Sequence, residues 1–476
     1  SELLLFRKVV IKMSDFTPEN ILKVRDDREP VCFKRINDQD TNKSAEFELY
    51  DGTFQPNWLQ NVANFSTRTL RERIEPWLTA LFQSEHLSLL AGSGLSTAVS
   101  LIATSKTGAG MGTVEFPKYD TEINAAASSS AKAAGRDDVN IEDQIRVVNE
   151  LIRGLEILGK KEDASTLQNE LERDLIHFAN SVLAGETAIA EADQNKREEA
   201  FNALVTFLMS FASRTGTRDR VNIFTTNYDR VIEIGAELAG MHLLDRFVGS
   251  ISPIFRSSRL NLDMHYNPPG MRGEPRYLEG VARYTKLHGS VDWVQTADGI
   301  RRIGVPFGAK SVEPFFDVAG FSESTAYKLM VYPNAAKDME TAGYPYVDLF
   351  RDFAAAICRP NSTLVTYGYS FGDDHINRVI RDMLTIPSTH LVIISYDDKM
   401  GRIMRTFNEW GRSAQTSLMI GPALADFSTL SAYYLPKPAI DKTTFRMSEL
   451  LRQRMGMNDS SNQSEKTEKK AGTERE

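Results

Sequence analysis

Four short stretches of this 476-residue chain gather groups that can bind or react, each at the exit of a segment that reads as a strand. Gly92-Ser93-Gly94 with Ser96 follows Leu87–Ala91. Thr225-Thr226-Asn227-Tyr228-Asp229 follows VNIF, His288-Gly289-Ser290 follows YTKL, and Gly368-Tyr369-Ser370 follows TLVTY. A Gly-x-Gly turn lets backbone approach a phosphate closely, although many tight turns look the same. Asn227 and Asp229 supply hydrogen-bonding side chains where a plain turn would use Gly or Pro; they also suit the cap of the helix that RVIEIGAEL predicts. His288, one of seven histidines, can accept a proton near neutral pH or serve as a structural hydrogen-bonding group. Ser370 could cap a helix beginning near Asp374, and Asp373-Asp374-His375 reads as that helix's N-terminus.

The elements that must position these groups alternate. Helix YVDLFRDFAAAIC, strand TLVTYGYS, helix DDHINRVIRDML, strand THLVIIS and helix KMGRIMRTFNEW follow one another. This pattern predicts an α/β fold with a Rossmann-like parallel sheet and crossover helices, in which ligands sit beyond the carboxyl ends of the strands. Residues 76–425 form this domain, interrupted by a helical insertion at about 140–215, where Ile141, Ile145, Val148, Leu151, Ile152 and Leu155 recur at helical spacing and three helices are expected. Residues 1–75 read as an N-terminal extension and 426–456 as a C-terminal one; 457–476 is polar and charged and is expected to be disordered. Met13 followed by SDFTPEN reads as a natural start, which makes residues 1–12 either a leader, too short in its apolar run for a targeting signal, or a non-native remnant. Residues 104–140, with TSKTGAGMGT and AAASSSAKAAGR, read as a mobile loop: no apolar strand precedes that glycine run and no Lys-Ser/Thr follows it, as a nucleotide-triphosphate loop requires.

Composition narrows the functional classes. A formal net charge of −8 argues against a protein whose main task is to coat DNA or an anionic membrane. Two cysteines, Cys32 and Cys358, cannot build a disulfide framework or a cysteine-rich zinc site, so no metal is expected and the cytoplasm is the expected compartment.

Taken in order, GSGLS (92–96), TTNYD (225–229), HGS (288–290) and GYS (368–370) resemble the sirtuin family, over roughly residues 85–400. The resemblance implies that Gly92, Ser93, Gly94 and Ser96 line the pyrophosphate and ribose of NAD. It places Asn227 and Asp229 at the nicotinamide ribose, counts Thr226 among the NAD-binding residues, makes His288 the catalytic base, and sets Gly368 and Ser370 against the adenosine half. The catalytic residues it implies are thus Asn227, His288 and Asp229. Deacetylating sirtuins carry a four-cysteine zinc module after the His-Gly pair, which this chain cannot supply, and TAVSLIATSK replaces the family's usual continuation of the glycine loop. Water then becomes the expected acceptor and NAD⁺ glycohydrolysis the expected reaction.

The chain looks most like the zinc-free sirtuin-like subunit of bacterial antiphage defence that pairs with HerA-type hexameric ATPases. That likeness implies a homo-oligomer, a HerA-type partner and NAD⁺ depletion on infection, with nucleic acid engaged only indirectly or weakly and no membrane. A module that senses NAD or ADP-ribose, or a DNA-acting subunit, remains the alternative, although no carboxylate cluster at metal-binding spacing supports the latter.

Overall fold

The computed structural model describes residues 18–36, 46–59, 64–108, 112–133, 139–212, 219–257, 262–266, 276–296, 299–316, 329–331 and 345–437. The leader or remnant expected at 1–12 and the tail expected at 457–476 lie outside them.

Strands rich in β-branched and leucine side chains form the centre of the molecule, because a parallel sheet covered on both faces needs continuous apolar runs. Seven strands are parallel: β5 (His86–Ala91), β6 (Asn222–Thr225), β7 (His242–Leu244), β12 (Val281–Lys286), β16 (Ser362–Tyr367), β17 (His390–Ser395) and β18 (Thr416–Ile420), in the order β18-β17-β16-β5-β6-β12-β7. Adjacent side chains on one strand go to opposite faces. Leu89, Ile223, Val365 and Val392 enter one core with helices α1 (Thr67–Phe82), α2 (Ser93–Thr104), α6 (Gln194–Ala212) and α7 (Val231–Leu238). Leu90, Phe224, Leu364 and Ile393 enter a second core with α8 (Tyr346–Ile357), α9 (Asp374–Met383) and α10 (Arg402–Trp410). The expected α/β fold with a large parallel sheet is therefore present, helices covering both faces.

The N-terminal residues extend this sheet. β1 (Asn20–Lys23), β2 (Val31–Arg35), β3 (Glu46–Leu49) and β4 (Asn64–Ser66) form an antiparallel meander whose β1 pairs with β18, and the boundary expected at residue 75 falls inside α1. At the other end, Phe427, Leu430 and Tyr434 are buried in the first core.

Three helices occupy the expected insertion, α4 (Ile141–Ile157), α5 (Lys161–Ala190) and α6. The start of α4 is set by a capping box: Asn140 accepts from Asp143 N, and Asp143 accepts from Asn140 N. The loop expected over 104–140 is corrected by a further helix, α3 (Asp120–Ala133). Its Ile123, Ala127 and Ala131 are fully buried one turn apart, so small side chains that promise little burial instead let α3 lie close against its neighbour. A third core joins α3, α4 and α5 to Val291 and Val294 of β13 (Gly289–Thr296) and to Ile303 and Val305, which follow β14 (Gly299–Arg302). These strands belong to a second, five-stranded sheet, with β8 (Phe247–Val248), β9 (Ile254–Phe255) and β15 (Leu329–Val331). The hairpin β10 (His265–Tyr266) and β11 (Arg276–Tyr277) stands apart from both.

One histidine away from the reactive groups makes stability depend on pH. His390 Nε2 lies 2.8 Å from Ser417 Oγ, which also accepts from Trp77 Nε1 at 3.0 Å, and Trp77 packs edge-on to the imidazole. Burial, and then the nearby Lys23 ammonium, push its pKa down to about 4. The folded value lies below that of the unfolded chain, so this contribution is complete above about pH 6.5 and is lost as the pH falls towards about 4. Urea titrations from about pH 7 to 4.5 are expected to show a decline with a His390 share of roughly 2–3 kcal/mol, flattened in His390→Gln. An unchanged slope in that variant would remove His390 from the account.

Candidate functional site

The topology creates a crevice before any side chain is considered. From β5 the chain proceeds to β6 on one side and later returns through β16 on the other. The adjacent β5 and β16 therefore send their exits in different directions, which is where open α/β sheets bind ligands.

Two glycine turns meet at this switch point. Gly92 N donates to Tyr367 O at 3.0 Å and Gly94 N donates to Gly368 O at 3.1 Å. A Cβ on Gly94 would stand 2.6 Å from Gly368 Cα, and one on Gly92 would stand 2.7 Å from Tyr369 Cα. Gly368 itself adopts φ +61, in the left-handed region. These glycines are thus needed for the two strand exits to touch, a role the phosphate-loop reading does not include. Ser93, the first residue of α2, is exposed, and Ser96 one turn on is half-buried.

Asn227 is buried, and its side chain does not cap α7. Its Nδ2 donates to Gly92 O at 3.0 Å and to Ser96 Oγ at 2.9 Å. A carbonyl can only accept, so this contact fixes the orientation of the amide, and both N–H groups are engaged. Oδ1 has no protein partner recorded among the described residues. Ser96 Oγ in turn donates to Asp229 Oδ2 at 2.6 Å, and Asp229 Oδ1 accepts from Val231 N at the start of α7. The result is a directed chain from Asn227 through Ser96 to Asp229. Asp229 therefore does stabilise the beginning of the helix, as its residue type allowed, but it also sets the hydroxyl of Ser96. Thr226, half-buried, donates its backbone N to Ala91 O.

Behind this chain the backbone is held by a buried ammonium. Lys286, at the end of β12, donates to Tyr228 O at 3.2 Å, to Asp229 O, and to Glu233 at 3.1 Å. Tyr228 turns away into the third core, edge-on to Phe178 of α5 at 5.7 Å, with its hydroxyl 3.3 Å from Glu142 of α4. Burial, followed by the Glu142 carboxylate, drives its hydroxyl pKa well above the ordinary value. Next along the chain, Arg230 pairs with Glu186 of α5 and donates to Val305 O and Pro306 O. Burial raises the Glu186 pKa, against the opposing guanidinium. The helical insertion is consequently bonded to the residues on both sides of Asp229.

His288 stands at the exit of β12, which pairs with β6 so that Leu287 N meets Thr225 O. Its ring lies 6.4 Å from that of Tyr228, and its Nε2 is 3.0 Å from Asp373 Oδ2. Since β5 and β6 separate β12 from β16 in the sheet, this pair spans the ends of the two strands that carry Gly92 and Asn227. Asp373 is also the N-cap of α9, its Oδ1 accepting from His375 N at 2.9 Å. The cap expected of Ser370 is thus corrected: Ser370 is exposed in the preceding turn, and the carboxylate three residues later does the capping. In the sequence, Asp373 within Asp373-Asp374-His375 reads foremost as a helix N-terminus, with nothing that joins it to His288. Lys286, Tyr228, Arg230 and Glu186 carried no signal beyond apolar or charged character, because their partners lie on elements far away in sequence.

Among the described residues, no group of three or more His, Cys, Asp or Glu side chains is placed to hold a metal ion, and no helix is long and apolar enough to cross a membrane. Cys32 is buried, and that burial pushes its thiol pKa up to about 11.

Residues 221–414 match the family described as SIR2-like domain. No curated protein matches the chain. The matched span takes in Asn227, Asp229, His288, Gly368, Ser370 and Asp373, and leaves out Gly92–Ser96, which the fold brings to it. The match supports a sirtuin-like assignment for this span and, with it, NAD binding.

Proposed function

We propose that the chain is an NAD⁺ glycohydrolase that splits the nicotinamide–ribose bond with water, giving nicotinamide, ADP-ribose and a proton. The observation that carries this reading is the directed chain Asn227–Ser96–Asp229 at the exits of β5 and β6, with the His288–Asp373 pair spanning the same strand ends. Cleavage of that bond leaves an oxocarbenium-like ribose, whose charge is stabilised by oriented oxygens and whose attacking water needs a base. Asn227 Oδ1 is an acceptor suited to a ribose hydroxyl or that water. Ser96, held by Asn227 and Asp229, offers its oxygen at the same edge, and Ser93 and the N-terminus of α2 suit a pyrophosphate. His288 takes the proton. In this reading Asp229 acts through Ser96, Gly92, Gly94 and Gly368 shape the crevice by their mutual contact, and Thr226 and Ser370 border it.

Water as the acceptor is supported by the segment after the His-Gly pair, where β13 packs on the helical insertion in a chain with only two cysteines. Incubation of the full chain with NAD⁺, with and without an acetylated peptide, separates the possibilities. ADP-ribose formed equally in both is the expected product; O-acetyl-ADP-ribose formed only with peptide would replace hydrolysis by acyl transfer. The motif resemblance further supports a role in antiphage defence by NAD⁺ depletion, as a homo-oligomer with a HerA-type ATPase. Copurification of such an ATPase with the chain tests the partnership.

A further inference from the structure

Asp373 has two oxygens with two different tasks. Oδ1 accepts from His375 N at 2.9 Å and Ile376 N at 3.4 Å, capping α9, while Oδ2 faces His288 Nε2 at 3.0 Å. The residue is buried, and its own backbone carbonyl accepts from Tyr369 OH at 3.2 Å, which in turn is 3.0 Å from Asn377 Oδ1. The turn before it is unusual: Gly368 and the buried Phe371 both have positive φ, of 61 and 55, and a bulky residue in that region marks a conformation held by its surroundings. Tyr369 and Phe371 pack on each other at 4.9 Å and Phe371 on Trp410, so the carboxylate is delivered by a rigid turn.

We propose that Asp373 is a positioning residue that fixes the tautomer of His288. The inference rests on the glycohydrolase reading for its consequence in catalysis, and on geometry alone for the tautomer. A carboxylate only accepts, so Nε2 carries the hydrogen and Nδ1 keeps its lone pair. His288 Nδ1 has no protein partner recorded among the described residues, which leaves it as the nitrogen able to accept a proton from water. Nothing in the spacing of the sequence joins these residues, which are 85 positions apart.

The double task of Asp373 makes the test sharp. In Asp373→Asn the cap still requires an oxygen facing His375 N, so the amide nitrogen is turned towards His288. That nitrogen donates, Nε2 must accept, and the hydrogen moves to Nδ1, where it blocks the base. Asp373→Ser keeps a good N-cap but cannot reach the imidazole. With histidine-labelled full chain at about pH 8, where imidazole is mostly neutral, long-range ¹H–¹⁵N spectra read the tautomer directly, His288→Gln assigning the signal. The wild type is expected to hold the Nε2–H form and Asp373→Asn the Nδ1–H form. Nicotinamide release is expected to fall by about 10²–10⁴-fold in kcat in Asp373→Asn, with KM for NAD⁺ nearly unchanged, and by less in Asp373→Ser, with the melting temperatures of both close to wild type. The same tautomer in wild type and Asp373→Asn overturns the proposal. So does full kcat in Asp373→Asn when His288→Ala is inactive, a result that leaves the glycohydrolase reading standing. A wild type that holds the expected tautomer and releases no nicotinamide overturns that reading instead.

Discussion

His288→Ala is expected to lower nicotinamide release from NAD⁺ by about 10²–10⁴-fold, the range over which a positioned general base acts. The side chain is partly accessible and makes one recorded side-chain hydrogen bond, to Asp373, so its removal disturbs little packing. The melting temperature is therefore expected to stay near that of the wild type, which separates loss of chemistry from loss of fold. Asn227→Ala tests the other side of the crevice. It removes donors to Gly92 O and Ser96 Oγ as well as the acceptor Oδ1. A loss of about 10²–10³-fold in kcat is expected, comparable to deletion of one oriented polar group that stabilises a transition state. Because Asn227 is buried and Gly92 O would lose a partner, a small fall in stability, of about 1–2 kcal/mol, accompanies it. Rates of nicotinamide release for the two variants, beside their thermal melts, check both statements. Wild-type rates in both would remove these residues from the chemistry.

Arg230→Ala is expected to destabilise the chain by about 3–5 kcal/mol, the cost of removing one partner from a buried ion pair. The Arg230 side chain is 9% exposed and that of Glu186 is wholly buried. Without the guanidinium, Glu186 stays in an environment that already raises its pKa by burial, and the carbonyls of Val305 and Pro306 lose their donors. Three segments then come apart at one point: α5, the turn after Asp229, and residues 305–306. The combined change Arg230→Met with Glu186→Leu is expected to recover much of the loss, because no unpaired charge remains buried. Urea unfolding at about pH 7 measures both. If Arg230→Ala unfolds at the wild-type midpoint, the pair does not anchor the insertion. The prediction bears on function because Arg230 directly follows Asp229, so a slackened insertion also loosens the residues that hold Ser96.

The parts of this molecule that were legible in the sequence are those whose physics is local. β5, β16 and β17 are buried on both faces and so read as short runs centred on Leu, Val and Ile, and α4 announces itself by its period. Helix α3 was hidden because two of its three fully buried positions, Ala127 and Ala131, carry little hydrophobic signal, and β8 and β9 because two-residue strands have no period. Within the site, residue types at strand ends marked Asn227 and His288, while their partners did not show. Asn227 binds Gly92 across 135 positions, and His288 binds Asp373 across 85. The glycines illustrate the limit most clearly. Gly-x-Gly suggested close approach to a ligand, whereas the approach that demands glycine is between two loops of the chain itself.

The central claim, that this crevice cleaves NAD⁺ with water, is tested most directly by following NAD⁺ and the purified full chain by proton NMR. Nicotinamide and ADP-ribose are expected to appear in equal amounts as NAD⁺ disappears, at a rate lowered by about 10²–10⁴-fold in His288→Ala. NAD⁺ that binds, broadening its own resonances, yet stays intact at saturating protein would contradict the claim and make the crevice a sensor.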